Sequence, residues 1–220
     1  LDPKMVKRIV SLGAPSSVEQ SMRALGIVVL TALIALVGDD AVAALGIGNR
    51  VNSLVFLPAL GLARGTETVV GQNLGSKQPG RAKRAVGYSS TLIAVVLSVV
   101  GVLAYVLARP ITAVFIPGEE EVITLGADYL RIIGPTFLFL GVFRIVQGSF
   151  RGAGSTRTAM VFAILSLWLF RLPPAYLLLE VTDLGASAVW YAIALSNVLA
   201  MVAAVVWFLR GTWTESVVED

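Results

Sequence analysis

The chain contains no cysteine and no histidine, and charged side chains make up only 14% of its 220 residues. Without cysteine there is no disulfide framework, and redox compartment cannot be read from the sequence. Without histidine there is no imidazole base, no imidazole metal ligand and no hydrolase triad built on one. Soluble domains carry about 25% charged residues, whereas here hydrophobic residues reach 56%. The charges that remain are unevenly placed. None falls between Thr91 and Ala108, and none between Leu184 and Leu209. Apolar stretches of about 18 residues or more read as membrane spans.

Six apolar segments follow, over residues 6–37, 41–71, 81–108, 122–150, 156–179 and 184–209. Each is long enough to cross a hydrocarbon core that takes roughly 20 helical residues. The strict alternation of shorter β-barrel strands is missing. Between the second and third segments, residues 72–80 form a polar turn rich in Gly, Asn, Ser and Pro, a strong breaker signal. Residues 110–121 hold a short amphipathic piece and a Pro117-Gly118 loop, and residues 151–155 a glycine-rich connection. The sequence predicts an all-α, polytopic six-helix bundle formed by residues 1–220 as one membrane lobe. The chain opens on Leu1 and shows no basic region followed by a short apolar run and a small-residue cleavage site. No signal peptide is expected, and the segment reads as an internal piece of a longer polypeptide.

The connections sort by charge. Lys4, Lys7, Arg8, Lys77, Arg81, Lys83, Arg84, Arg151, Arg157 and Arg210 fall at the beginning, second, fourth and final connections. Asp39, Asp40, Glu119, Glu120, Glu121, Glu180 and Asp183 fall at the other three, against Arg109 and Arg131. This alternation is a positive-inside pattern, and it places both ends of the segment in the cytoplasm, in the inner (plasma) membrane of a cell. The basic run from Lys77 to Arg84 adjoins a span, where anionic lipid explains it better than nucleic acid.

Charges inside spans are costly and face a protein interior or a wet cavity. Glu19 and Arg23, four residues apart, fit an ion pair on one helix face. Such a pair is either a coupling or gating group in a central cavity or a local pair that makes the helix insertable. Arg64 and Glu67 form a second possible pair three residues apart, suited to a clamp or gate near the second connection. Asn49, Arg50 and Asn52 are candidates for polar contacts across helices or for snorkelling. Arg144 with Gln147, one turn on, and Arg171 before Pro173-Pro174 are further candidates lining a cavity or bridging helices. Pro15, Pro58, Pro135 and Pro173 are candidate hinges or static kinks, because a ring without an N–H bends a helix. The segment 151–155 lacks the full GxxxxGK[ST] string of a phosphate loop. No group has the spacing of a metal site, and no paired acids or activated serine point to an intramembrane enzyme.

A set of short strings in order carries a family resemblance: GAPSSVEQ (13–20), AALGIGNR (43–50), PALGL (58–62), VGQNLG (70–75), YLR (129–131), FRGAGST (150–156) and RLP (171–173). Together they resemble the multidrug and toxic compound extrusion family, especially its prokaryotic DinF-like branch. The resemblance implies a twelve-helix exporter of two six-helix lobes, with this chain as the C-terminal lobe and the N-terminal lobe of the same polypeptide as its partner. It implies exchange of H⁺ or Na⁺ for cationic or amphipathic organic compounds, small organic cations among them. The coupling-ion carboxylates of DinF-like relatives lie in the first lobe, so that site is expected outside this chain. Other branches place a cation-binding glutamate eight residues after the motif proline, where this chain has Arg23, with Glu19 one turn earlier. Their second acid has no match in residues 132–143, and Asp128 lies near the outer end of its helix. A stand-alone half-size protein that dimerises, and a lipid-handling flippase-like member, are the alternatives.

Overall fold

In hydrocarbon no water satisfies backbone N–H and C=O groups, so a spanning segment bonds within itself as a helix. The computed structural model describes residues 3–211 and residue 213, with side chains from residue 10 onward except residue 12. Lys4, Lys7 and Arg8 of the charge pattern lie outside the described side chains. The chain forms α1 (Pro3–Ala35), α2 (Asp39–Gly75), α3 (Pro79–Val106) and a short α4 (Ala108–Phe115). These are followed by α5 (Glu120–Ile133), a 3₁₀ turn (Gly134–Thr136) and α6 (Phe137–Gly152). Then come α7 (Thr156–Ile164), a π-helical turn (Leu165–Leu169), α8 (Leu172–Val181) and α9 (Ala186–Leu209). Six helical stretches among the described residues are long and apolar enough to cross a membrane, two of them interrupted by these turns.

The connections are set by local chemistry. α2 follows Gly38 at φ 144° and opens with Asp39 and Asp40, whose charges suit the positive end of the helix dipole. The α6–α7 turn closes with Gly154 N–H on the Arg151 carbonyl (2.9 Å) and Ser155 N–H on the Phe150 carbonyl (2.8 Å). This is a Schellman cap, and its C′ residue must be left-handed, which Gly154 supplies at φ 76°. α2 ends with the same pair of bonds, from Lys77 to Leu74 and from Gln78 to Asn73, but there the left-handed residue is Lys77, φ 57°. Pro79 then starts α3, where its missing N–H costs nothing.

Consecutive crossings alternate in direction. The ends of α2 and α6 meet, since a Cβ on Gly71 would sit 3.2 Å from the Gly152 carbonyl oxygen, and Gly211 lies beside Lys83 near the start of α3. At the other face the α1–α2 and α8–α9 connections are neighbours through Val37 and Gly185. Arg109 is ion-paired with Glu120 there.

The core lies where α2, α3, α5, α6 and α9 meet. α6 packs close to α2 because glycines face it. A Cβ on Gly148 would lie 2.6 Å from the Ala63 carbonyl oxygen, and one on Gly152 would collide with the Glu67 carbonyl. Backbones approach this closely in membrane bundles through small residues. Trp190 of α9 is fully buried with its ring edge-on to Tyr129, centroids 4.9 Å apart. The outer face of α3 is apolar and exposed, with Leu92, Val95, Val99, Val102 and Val106. That distribution suits lipid, not water.

Of the candidate hinges, Pro135 falls within the 3₁₀ turn that divides α5 from α6, and Pro173 in the first turn of α8 after the π segment. The helix runs unbroken through Pro15 and Pro58.

Candidate functional site

Polar residues from distant parts of the chain meet around a cavity of about 520 Å³, within the size range of small-molecule sites. α1 contributes Arg23, α2 contributes Asn49 and Asn52, and α5 contributes Tyr129. Arg144 enters from α6, Arg171 from the junction between the π turn and α8, and Asn197 from α9. The rest of the wall is mostly apolar, with Phe56, Phe143 and Leu167 among its larger side chains.

Glu19 sits beside the cavity as a buried carboxylate, 4% exposed. It accepts a hydrogen bond from Arg23 Nη2 at 3.0 Å, as its spacing on the helix suggests. It also accepts from Arg151 Nη2, at 2.7 Å on Oε1 and 2.8 Å on Oε2. This second bond ties α1 to the end of α6. Arg151, counted among the loop charges in the sequence, folds inward instead. With both oxygens engaged by guanidinium groups, Glu19 serves as an ion-pair latch between helices.

Arg144 has only neutral partners. Its Nη1 is 3.4 Å from Gln147 Oε1 and its guanidinium lies over the Phe56 ring, 4.6 Å from the centroid. Gln147 donates to the Ala159 carbonyl at 3.2 Å and so connects α6 to α7. Arg171 donates from Nε to Ser196 Oγ (2.8 Å) and from Nη2 to Asn197 Oδ1 (3.0 Å). Asn197 Nδ2 donates to Thr136 Oγ1 at 2.9 Å, and Thr136 donates to the Ile133 carbonyl at 2.7 Å. A polar chain thus runs from the α8 junction through α9 to the 3₁₀ turn beside Pro135. On the other side, Asn52 Nδ2 donates to the Tyr129 hydroxyl.

Two helix breaks border this region. The π turn places Leu167 against Gly26 of α1 and lets Trp168 Nε1 donate to the Met22 carbonyl at 3.1 Å. Isolated π turns occur often at functional sites. The 3₁₀ turn packs Gly134 against Gly101 of α3, backbone to backbone.

Other sequence candidates lie elsewhere. Arg50 is exposed and does not line the cavity. Arg64 is exposed, Glu67 is half-buried, and no ion pair within 4.0 Å joins them. Three-residue spacing permits that pair but does not aim two long side chains at each other. The expected Arg64–Glu67 pair is therefore not a direct ion pair, and the two charges act on each other only at longer range. The residues missed by sequence reasoning are Arg151, Thr136, Ser196, Asn197 and Tyr129 as partners. Their contacts span 25 to 132 residues of chain, and no local pattern marks them. Among the described residues, no three His, Cys, Asp or Glu side chains gather as a metal site.

Six potential crossings among the described residues, packed around an internal cavity with polar groups in its wall, define a polytopic membrane domain. The chain belongs to the MatE family, whose model matches residues 15–177. It is 26% identical over 214 residues to the probable multidrug resistance protein NorM of Thermotoga maritima, covering 96% of this chain and 46% of that protein. It is 27% identical over 218 residues to the multidrug resistance protein MdtK of Photorhabdus laumondii, again 96% and 46%. Among solved structures it resembles a MATE transporter of Vibrio cholerae in the bent form, with a TM-score of 0.90 at 21% identity, covering 98% of this chain and 48% of that one. The chain spans about half the length of the curated relatives it matches.

Proposed function

We propose that this chain is the C-terminal six-helix lobe of a secondary active exporter that exchanges H⁺ or Na⁺ for amphipathic organic compounds by alternating access. Its partner is a second six-helix lobe, the N-terminal half of the same polypeptide, which holds the coupling-ion carboxylates. The basic connections around Lys77 and Arg157, and with them both ends of this lobe, face the cytoplasm of a cell whose inner membrane holds the protein. The family shown by residues 15–177 and the half-length match to multidrug resistance proteins support this reading. Neither the dimerising half-size protein nor the lipid-handling member draws support from those relatives.

The observation that carries the reading is the cavity of about 520 Å³ bordered by two helix breaks. Transporters place binding sites at broken helices near the midplane, where irregular backbone lines a cavity. In this reading the 3₁₀ turn at Pro135 and the π turn before Arg171 take up bending while the Glu19 latch holds α1 to α6. Ion and substrate drive the cycle only through different affinities for its two arrangements. The family resemblance implies cationic or amphipathic compounds, and a wall of arginines without carboxylates favours the amphipathic part of that class.

The test is uptake and release in proteoliposomes of the complete two-lobed protein, with Na⁺ and proton gradients imposed separately. Gradient-dependent movement of an amphipathic dye under one of them is expected. A dye flux unchanged by either gradient would overturn secondary active coupling.

A further inference from the structure

The cavity carries one sign of charge. Arg23, Arg144 and Arg171 line it, and among the described residues no Asp or Glu does. The neighbouring carboxylate, Glu19, is hydrogen-bonded to Arg23 and Arg151 and lies within electrostatic reach of Arg144, so one acid faces three guanidinium groups. Arg144 and Arg171 are held by an amide, a ring, a hydroxyl and a second amide, none of them charged. Two guanidinium nitrogens, Nε of Arg23 and Nε of Arg144, are buried and donate to nothing. Guanidinium groups stay protonated in proteins. Buried cations in excess of their counter-charges are costly, and an unmatched donor adds to that cost.

An oxyanion relieves both. Its charge offsets the arginines, and its lone pairs match the planar guanidinium fork two at a time. The buried Asn52 Oδ1, which accepts no hydrogen bond, can take an O–H or N–H from the same ligand. The apolar wall of Phe56, Phe143 and Leu167 suits a hydrocarbon or aromatic body. Resting on the exporter reading above, we infer that this cavity receives the acidic headgroup of an anionic amphiphile (a carboxylate, sulfonate or phosphate on an apolar body) and that the lobe discriminates against organic cations.

Fluorescein and rhodamine 123 share a xanthene frame and carry opposite charge, so together they isolate the charge preference. Binding of each to the purified two-lobed protein is read by fluorescence anisotropy. Fluorescein is expected to bind about tenfold or more tighter, a difference of about 1.4 kcal/mol per decade. Arg144→Gln and Arg171→Gln are each expected to weaken fluorescein about tenfold and leave rhodamine 123 unchanged, while Arg144→Lys and Arg171→Lys keep most of the affinity. If a Gln variant does not fold, the wild-type preference between the two dyes decides. Displacement of fluorescein by dioleoyl phosphatidic acid, but not by phosphatidylcholine, assigns the ligand to a lipid headgroup. Displacement by octyl sulfate alone assigns it to a soluble organic acid.

Equal or tighter binding of rhodamine 123, or no binding of either dye, overturns the inference. Carboxylates of the second lobe neutralising these arginines would produce that result. Gradient-driven transport keeps the two readings apart. Export of rhodamine 123 without fluorescein sinks the anion site and leaves the exporter standing. Tight fluorescein binding with neither dye moved by either gradient does the reverse.

Discussion

Nη2 of Arg151 lies 2.7 and 2.8 Å from the two carboxylate oxygens of Glu19, closing a contact across 132 residues of sequence. It joins the first helix of the lobe to the last turn of α6, and Arg23 shares the same acid at 3.0 Å. Removing the acid leaves two guanidinium groups without their hydrogen-bonded carboxylate, with the half-buried Glu67 as the remaining negative charge near Arg151.

Glu19→Gln is therefore expected to destabilise the protein by about 3 kcal/mol, the lower range for breaking a buried pair. Membrane insertion should persist, because the spans keep their hydrophobicity, while export of the transported dye falls. Thermal unfolding in detergent and proteoliposome flux check both parts. Unchanged stability would show the latch to be energetically silent, and unchanged export would remove its role in the cycle.

Lys77 occupies a left-handed position, φ 57°, that a Schellman cap ordinarily fills with glycine. A side chain there costs about 1–2 kcal/mol, partly returned because glycine also loosens the unfolded chain. Lys77→Gly should raise stability by about 0.5–1 kcal/mol, visible as a higher melting temperature. A lower one would mean that the lysine's charge matters more than its backbone.

Gly148 leaves no room for a side chain, since its Cβ would stand 2.6 Å from the Ala63 carbonyl oxygen. Gly148→Val must push α6 from α2 at a cost of about 1–3 kcal/mol or more. Loss of monodisperse protein on size-exclusion chromatography is the expected outcome. Gly13, where nothing lies within 4 Å, is the matched control, and Gly13→Val should leave the protein monodisperse.

Asn197 joins Arg171 to Thr136 by one hydrogen bond on each side, at 3.0 and 2.9 Å. Asn197→Ala leaves a guanidinium N–H and a buried hydroxyl oxygen each short of a partner, costing about 1–3 kcal/mol. Asn197→Asp keeps the acceptor for Arg171 and adds a counter-charge beside it. It recovers the Arg171 contact but not the donor to Thr136, so it should restore only part of the stability yet weaken fluorescein binding, whereas equal binding by both forms would show that Arg171 does not meet the ligand.

Span number, span order and charge sorting were legible in the sequence because each depends on local composition. Long apolar runs such as 184–209 must be helical in hydrocarbon wherever they pack. The Glu19–Arg23 pair was legible too, since one helical turn fixes its reach. Arg64 and Glu67 show the limit of that rule: the spacing allowed a pair, yet Arg64 is exposed and the two stay beyond direct ion-pair distance. Pro135 and Pro58 show another, because one proline falls at a break in its span and the other within a continuous helix.

By itself the sequence determined a six-span helical lobe with charge-sorted connections and resembling one exporter family, since hydrophobic length, helix period and motif order act over tens of residues at most. Tertiary structure decided that Arg151 turns inward to Glu19, that Asn197 links Arg171 to the break at Pro135, and that three arginines share one cavity. Arginine side chains are long and flexible, and their partners are chosen by whichever helices pack nearby, a choice that no spacing along the chain encodes.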